Sequence, residues 1–220
     1  MTNLYIVGAG SCAVELYYWF KTSPKAMHDY TFCGFIDDFC NLKDIEQRLS
    51  LDKKDDGPWC IKVKDYIYKD GDKLLIAFGN PSLKEQYYET LNVPDSAYTT
   101  FVHDTALVYD NVKLGPGTMV GPFCTIEPNV VIKDHVLVNA YSFVAHDSYV
   151  GNFSSLSPRS TLLGQSRVHK KAFIGACSCI NVKREIEADA FVGMNSSVIH
   201  TVKEGSVVYG VPARLYQKEE

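Results

Sequence analysis

Val138-Asn139-Ala140-Tyr141-Ser142-Phe143-Val144-Ala145-His146-Asp147-Ser148-Tyr149-Val150-Gly151-Asn152-Phe153-Ser154-Ser155-Leu156 places a branched aliphatic at every sixth position. The register extends back through Ile132, Ile126, Val120, Leu114 and Val108 to Val102. It runs forward through Leu162, Val168, Ile174, Ile180, Ile186 and Val192 to Val198, with no insertion. A period of six matches neither a helix (3.6) nor a plain strand (2), so it marks a repeat architecture.

Two further registers belong to the same repeat. Small residues stand two before most of the aliphatics: Ala106, Thr118, Cys124, Ser142, Ser148, Ser154, Ser160, Ser166, Ala172, Ser178, Ala190 and Ser196. Three after an aliphatic come Asn111, Gly117, Asn129, Asp147, Asp189 and Asn195, residue types that tolerate a left-handed backbone. Together they predict short parallel strands that turn every six residues, with three hexads closing one triangular coil. The aliphatics stack inside, and the small residues fit the corners. The prism would stand about 27 Å tall at the usual strand spacing.

The first half reads differently. Leu4-Tyr5-Ile6-Val7 is a buried strand, followed by the turn Gly8-Ala9-Gly10-Ser11-Cys12-Ala13 and a helix from about Val14 to Lys21. Phe32 to Ile36 is a second strand, ending in Asp37-Asp38. Leu74 to Phe78 is a third, followed by Gly79-Asn80-Pro81 and a helix around Leu83 to Leu91. Residues 41–58 read as a loop with one helix. Alternation of this kind predicts a small parallel α/β domain. Its glycine turn can present backbone donors to a phosphate at a helix N-terminus, or simply be a tight turn. Asp37 lies later than the dinucleotide fingerprint requires, and the domain is too short for the complete fold, which argues against a hydride-transfer enzyme.

Composition narrows the function classes. Net charge is −4 with no basic block, so a nucleic-acid partner is not expected. No apolar run reaches the length of a membrane span, no signal peptide is read, and a cytoplasmic protein is expected. The seven cysteines are odd in number and irregularly spaced, so free thiols are expected, with neither a disulfide framework nor a zinc site.

With these parts in place, the chain resembles the hexapeptide-repeat sugar acetyltransferases. It is most similar to the branch that holds the sialic acid O-acetyltransferases and the nucleotide-amino-sugar N-acetyltransferases of the bacillosamine pathway. The likeness rests on the Gly-Ala-Gly turn, Ile36-Asp37-Asp38, Phe78-Gly79-Asn80, the hexads, and the ending Gly210-Val211-Pro212-Ala213-Arg214. It implies a Rossmann-like α/β domain at 1–98, a left-handed parallel β-helix at 99–206 and a tail at 207–220. It also implies a homotrimer with active sites between subunits.

The same resemblance implies acetyl-CoA as co-substrate, held along the later coils by Gly164, Ala176, Cys177, Gly193 and Met194. A nucleotide sugar, UDP- or dTDP-linked, would lie against Gly8, Gly10, Ser11, Asp37 and Asp38, and no metal is implied. The family's catalytic histidine, followed by an acid, falls on His146-Asp147, with Gly164 offering a backbone N–H to the oxyanion. His146 stands at an outward hexad position; without the motif it would read as a solvated surface histidine. Asp147 stands in the register that asks for φ > 0, which could by itself explain it. One departure is visible: some relatives carry a second histidine nine residues after the first, and here that position is Ser155.

The expected reaction is acetyl transfer to a sugar amine with His146 as general base. Three alternatives stay open at this level. They are O-acetylation of sialic acid or another sugar, a non-catalytic nucleotide-sugar-binding protein, and a zinc carbonic-dehydratase site, whose clustered histidines this chain lacks.

Overall fold

A computed structural model of the chain describes residues 1–40, 42–49 and 60–216. Four parallel strands form the first sheet: β1 (Thr2–Val7), β2 (Tyr30–Ile36), β3 (Cys60–Ile61) and β4 (Lys73–Ile76), in the order β3-β2-β1-β4. Leu4 and Ile6 of β1 are buried on one face and Val7 on the other, as befits a central parallel strand. Helix α1 (Ser11–Lys21) follows the glycine turn, α2 (Leu42–Leu49) follows β2, and α3 (Pro81–Leu91) follows β4. Asn80 caps α3 by accepting from the Ser82 and Leu83 amides, and Pro81 occupies the first turn, where its missing N–H costs nothing. The helix expected within residues 41–58 is α2; residues 50–58 lie outside the described residues.

From Phe101 to Val198 the chain is a left-handed parallel β-helix of two-residue strands, one for each of the hexads read from the sequence. Between the end coils every strand pairs in parallel with those 18 residues before and after it, and three sheets form the walls. The aliphatics from Val120 to Val198 are almost wholly shielded and make one continuous core. Val102, Val108 and Leu114 are only partly covered, because no coil precedes them.

The corner serines have a second use besides smallness. Ser142, Ser148, Ser154 and Ser178 each donate a hydroxyl to a carbonyl 15 residues on, in the next coil. Buried polar groups at the corners are thereby satisfied.

Three findings differ from the sequence reading. Left-handed backbone occurs at residue 117 and every sixth residue to 195, whatever the side chain: Phe123, Tyr141, Arg159, Cys177 and Lys183 adopt it as Gly117 does. Asn111, expected to share it, does not. The wall also runs on past 206, since Val207–Tyr209 pairs with Phe191–Val192 and Arg214–Leu215 folds back against it. Finally, Cys40 and Cys60 form a disulfide, their Cα atoms 6.1 Å apart, where free thiols were expected. Pairing of β2 with β3 and the turn at Asp37 bring these two together across 20 residues of sequence. The other five cysteines are free.

The α/β part lies against one wall of the prism. Trp19 and Phe20 of α1 share a core with Phe101, Met119 and Leu137, the outward side chains of that wall. On the other side of the contact, the fully buried Lys84 of α3 donates to Ser154 O at 2.8 Å, and Glu85 bridges Lys170 and Lys171. Among the described residues, no helix is long and apolar enough to cross a membrane.

Candidate active site

Each corner of the prism follows a wall strand, and His146 sits at the corner after Phe143–Val144. Its neighbour Asp147 has φ 60°, the conformation that the register imposes there. The turn points the Asp147 carboxylate back at the imidazole: His146 Nδ1 and Asp147 Oδ2 are 2.8 Å apart, and both side chains are well exposed. Asn129, one coil earlier, donates to the other Asp147 oxygen at 3.0 Å, while the His146 amide donates to Glu127. The imidazole and the Asn129 amide hold the Asp147 carboxyl below its usual pKa. Asp147 thus stands at a left-handed turn and within hydrogen-bond distance of the ring.

With Nδ1–H given to Asp147, the free nitrogen of the ring is Nε2. That nitrogen lies against Gly164, 18 residues on, where a Cβ would stand only 2.7 Å from Nε2 and 2.8 Å from Cε1. A side chain at 164 would have to displace the imidazole. The Gly164 N–H has no acceptor among the described residues, whereas its flanking residues donate to Ile180 O and His146 O. Corner residues of this register leave the inter-coil ladder, which is why Pro116, Pro122, Pro128 and Pro158 fit at equivalent positions.

The expected acetyl-CoA residues divide between two corners. Gly164 shares the corner of His146, whereas Ala176, Cys177, Gly193 and Met194 stack at the corner that follows the wall carrying the α/β part. Met194 and Cys177 are exposed.

A cavity of about 530 Å³ opens between that wall and helices α1 and α2. Ser11, Cys12 and Glu15 line it from α1, and Arg48 from α2, with its guanidinium donating to Ser11 Oγ at 2.9 Å. Asn139, Ser155 and Phe173 line it from the prism. Of the residues expected to hold a nucleotide, only Ser11 reaches the lining.

Gly10 caps α1 beside it without a side-chain hydrogen bond, leaving first-turn amides available to an anion. Asp37 is buried, its carboxylate accepting from the Ala9 and Phe39 amides and from Tyr87 Oη. It braces the glycine turn, in which Gly8 has φ 106°. Asp38 accepts from the Val63 amide. Sequence reasoning missed Arg48, Glu15 and Asn139, which converge only through the docking of the two parts.

Burial pushes the Cys12 thiol up to about 12, which keeps it protonated at neutral pH. Among the described residues, no group of three or more His, Cys, Asp or Glu could hold a metal ion.

Comparison with known proteins agrees with this architecture. The acetyltransferase domain of PglB from Neisseria gonorrhoeae FA1090 has a TM-score of 0.82 at 20% identity, covering 98% of this chain and 100% of that one. PerB from Caulobacter crescentus, solved in complex with CoA and GDP-perosamine, has a TM-score of 0.81 at 22% identity, covering 99% and 98%. WeeI from Acinetobacter baumannii AYE has a TM-score of 0.80 at 24% identity, covering 98% and 100%. No curated protein matches by sequence. A family model described as bacterial transferase hexapeptide (six repeats) matches residues 111–146, so the chain carries that repeat on the fold of the PglB acetyltransferase domain, PerB and WeeI.

Proposed function

We propose that the protein transfers an acetyl group from acetyl-CoA to the amine of a nucleoside-diphosphate-linked amino-deoxy sugar, with UDP or dTDP as the nucleotide. The observation that carries this reading is the His146–Asp147 pair set over Gly164 at an exposed corner. The sugar nitrogen attacks the thioester carbonyl as His146 Nε2 takes a proton from it, so a C–N bond forms. Gly164 N–H meets the oxyanion. Collapse breaks the C–S bond, and the proton on His146 passes to the departing thiolate. No covalent acyl-enzyme is required, because juxtaposition of two bound substrates supplies much of the advantage.

The placement of the parts supports an oligomer. His146 occupies the corner opposite the wall on which the cavity opens, and the hydrophobic core of the prism lies between them. One copy's histidine would serve a neighbouring copy's cavity, as in the homotrimer that the resemblance implies. Acetyl-CoA would then lie in the groove between prisms, contacting Gly164 of one copy and the Ala176, Cys177, Gly193 and Met194 corner of the next. The nucleotide would be held by the 1–98 part, its phosphates toward Gly10, Ser11 and Arg48. PerB, of the same fold, is described with CoA and GDP-perosamine, and AntD from Bacillus cereus with dTDP and 3-hydroxybutyryl-CoA.

The test is thiol release from acetyl-CoA with UDP-, dTDP- and GDP-linked amino sugars, and with free sialic acid in parallel. His146→Ala should keep its melting temperature and lose about 10² to 10⁴ in turnover. Undiminished turnover ends the base assignment. Absence of thiol release with every amino sugar ends the N-acetylation reading, and release with sialic acid alone replaces it by O-acetylation.

A further inference from the structure

The wall against the α/β part presents one outward column, in which Phe101, Met119, Leu137, Ser155, Phe173 and Phe191 pair successively on neighbouring strands. Five of the six are large and apolar. Ser155 interrupts the column between Leu137 and Phe173, leaving a notch at the floor of the 530 Å³ cavity. Ser155 is 1% exposed, and its hydroxyl has no hydrogen-bond partner among the described residues. An unmatched buried polar group is destabilising, so the notch is a place where bound ligand would supply a partner that the free protein lacks.

Glu15 enters the same cavity from α1. One of its oxygens accepts from Asn139 Nδ2 at 3.2 Å, and the other has no partner among the described residues. Between Glu15 and Ser155 the walls are largely apolar, with Cys12, Val14, Leu137 and Phe173. The mouth differs, carrying the Arg48 guanidinium and the first turn of α1. A ligand matched to this space has an anionic end outward. Its inner end is a compact ring with apolar edges and at least two polar substituents, one of them a hydrogen-bond donor.

We propose that Glu15 and Ser155 are the specificity-determining residues of the acceptor site, and that the notch between Leu137 and Phe173 receives the hexose ring. A hydroxyl or ammonium of the sugar donates to Glu15, a second substituent pairs with the Ser155 hydroxyl, and the deoxygenated edge of the ring lies on Phe173. This rests on the reading of the protein as acting on nucleotide-linked sugars, and it assigns the choice among those sugars.

Calorimetric titration of the full-length protein tests it, with UDP, dTDP and GDP, each bare and each linked to a 4-amino-4,6-dideoxyhexose. The wild type should bind a sugar nucleotide more tightly than its bare nucleotide. Ser155→Leu, which completes the apolar column, should keep the affinity for the bare nucleotide, lose the sugar increment and melt no lower than wild type. Glu15→Gln keeps the shape and the Asn139 contact, and should lower the increment about tenfold or more, as expected for a hydrogen bond to a charged group. Should Ser155→Leu fail to fold, Ser155→Ala decides in its place, with a several-fold loss of the increment at unchanged melting temperature.

Retention of the full increment by Glu15→Gln or by the Ser155 variant overturns the assignment. A wild type that binds nucleotides but gains nothing from the sugar overturns it while leaving a nucleotide site standing. A wild type that binds none of the six compounds removes the functional reading as well.

Discussion

Gly164 and His146, one coil apart, touch: the imidazole Nε2 occupies space that a side chain at 164 would need. Position 164 also carries the unpaired N–H proposed for the oxyanion, so base and oxyanion donor stand on successive turns of one corner. Gly164→Ala should therefore displace the ring by several tenths of an ångström or more and lower kcat about 10²-fold, as loss of one transition-state contact does. Gly164 is buried beneath the imidazole, but the ring it would displace is itself exposed and can swing outward, so melting should change little. Steady-state kinetics beside a thermal melt checks this.

Asp147→Asn separates the two uses of that residue. Asparagine accepts the left-handed turn, so stability should hold, whereas Asp147→Ala should also cost about 1 kcal/mol for φ > 0. The amide is a poorer partner for the Nδ1–H, and kcat should fall roughly tenfold with KM for acetyl-CoA unchanged. A fall in melting temperature without loss of rate would confine Asp147 to the turn.

Lys84 makes stability depend on pH. Burial drives its pKa down to about 7, opposed by a smaller upward pull from Cys12. Between pH 7 and 9 the unfolded lysine binds a proton that the folded one has largely released, so stability rises with pH across that window. Cys12, held up at about 12, and Cys124, held up at about 11, stay protonated in the fold and oppose the rise once the unfolded thiols ionise, from about pH 8.5 upward. The facing imidazole of His135, lowered to about 4 by burial and by Lys84, contributes below pH 6.5 and not here. Denaturant titrations at pH 7, 7.5 and 8, below the unfolded thiol range, should show the rise in wild type and a flat profile in Lys84→Met. A flat wild-type profile would contradict it.

The fold was legible because burial in a narrow prism admits one kind of residue. Val144, Val150 and Leu156 could not be polar without a buried unmatched group, so the hexad is written without exception. The turn register was only partly legible. Phe123, Arg159 and Lys183 are poor left-handed residues, and they adopt φ near 60° because the strands on either side, paired to neighbouring coils, leave no other path.

At the site, the adjacency of His146 and Asp147 could be read directly, and Gly164 lies one 18-residue turn away. Glu15 and Arg48 could not be placed, since what brings them to Ser155 is the docking of Trp19 and Phe20 on the prism, which no local pattern encodes. The Cys40–Cys60 bond was hidden for the same reason: strand pairing, not spacing, joins the two.

The 18-residue coil makes length a quantised property of this protein. A one-residue deletion within the prism would exchange core and solvent faces for everything downstream, and a six-residue deletion would rotate each later side chain by one wall, carrying His146 away from Gly164. Only whole turns can be added or lost while the later rungs keep their faces. Such a barrel can grow or shrink at its ends or by complete rungs, and its chemistry stays locked to the count.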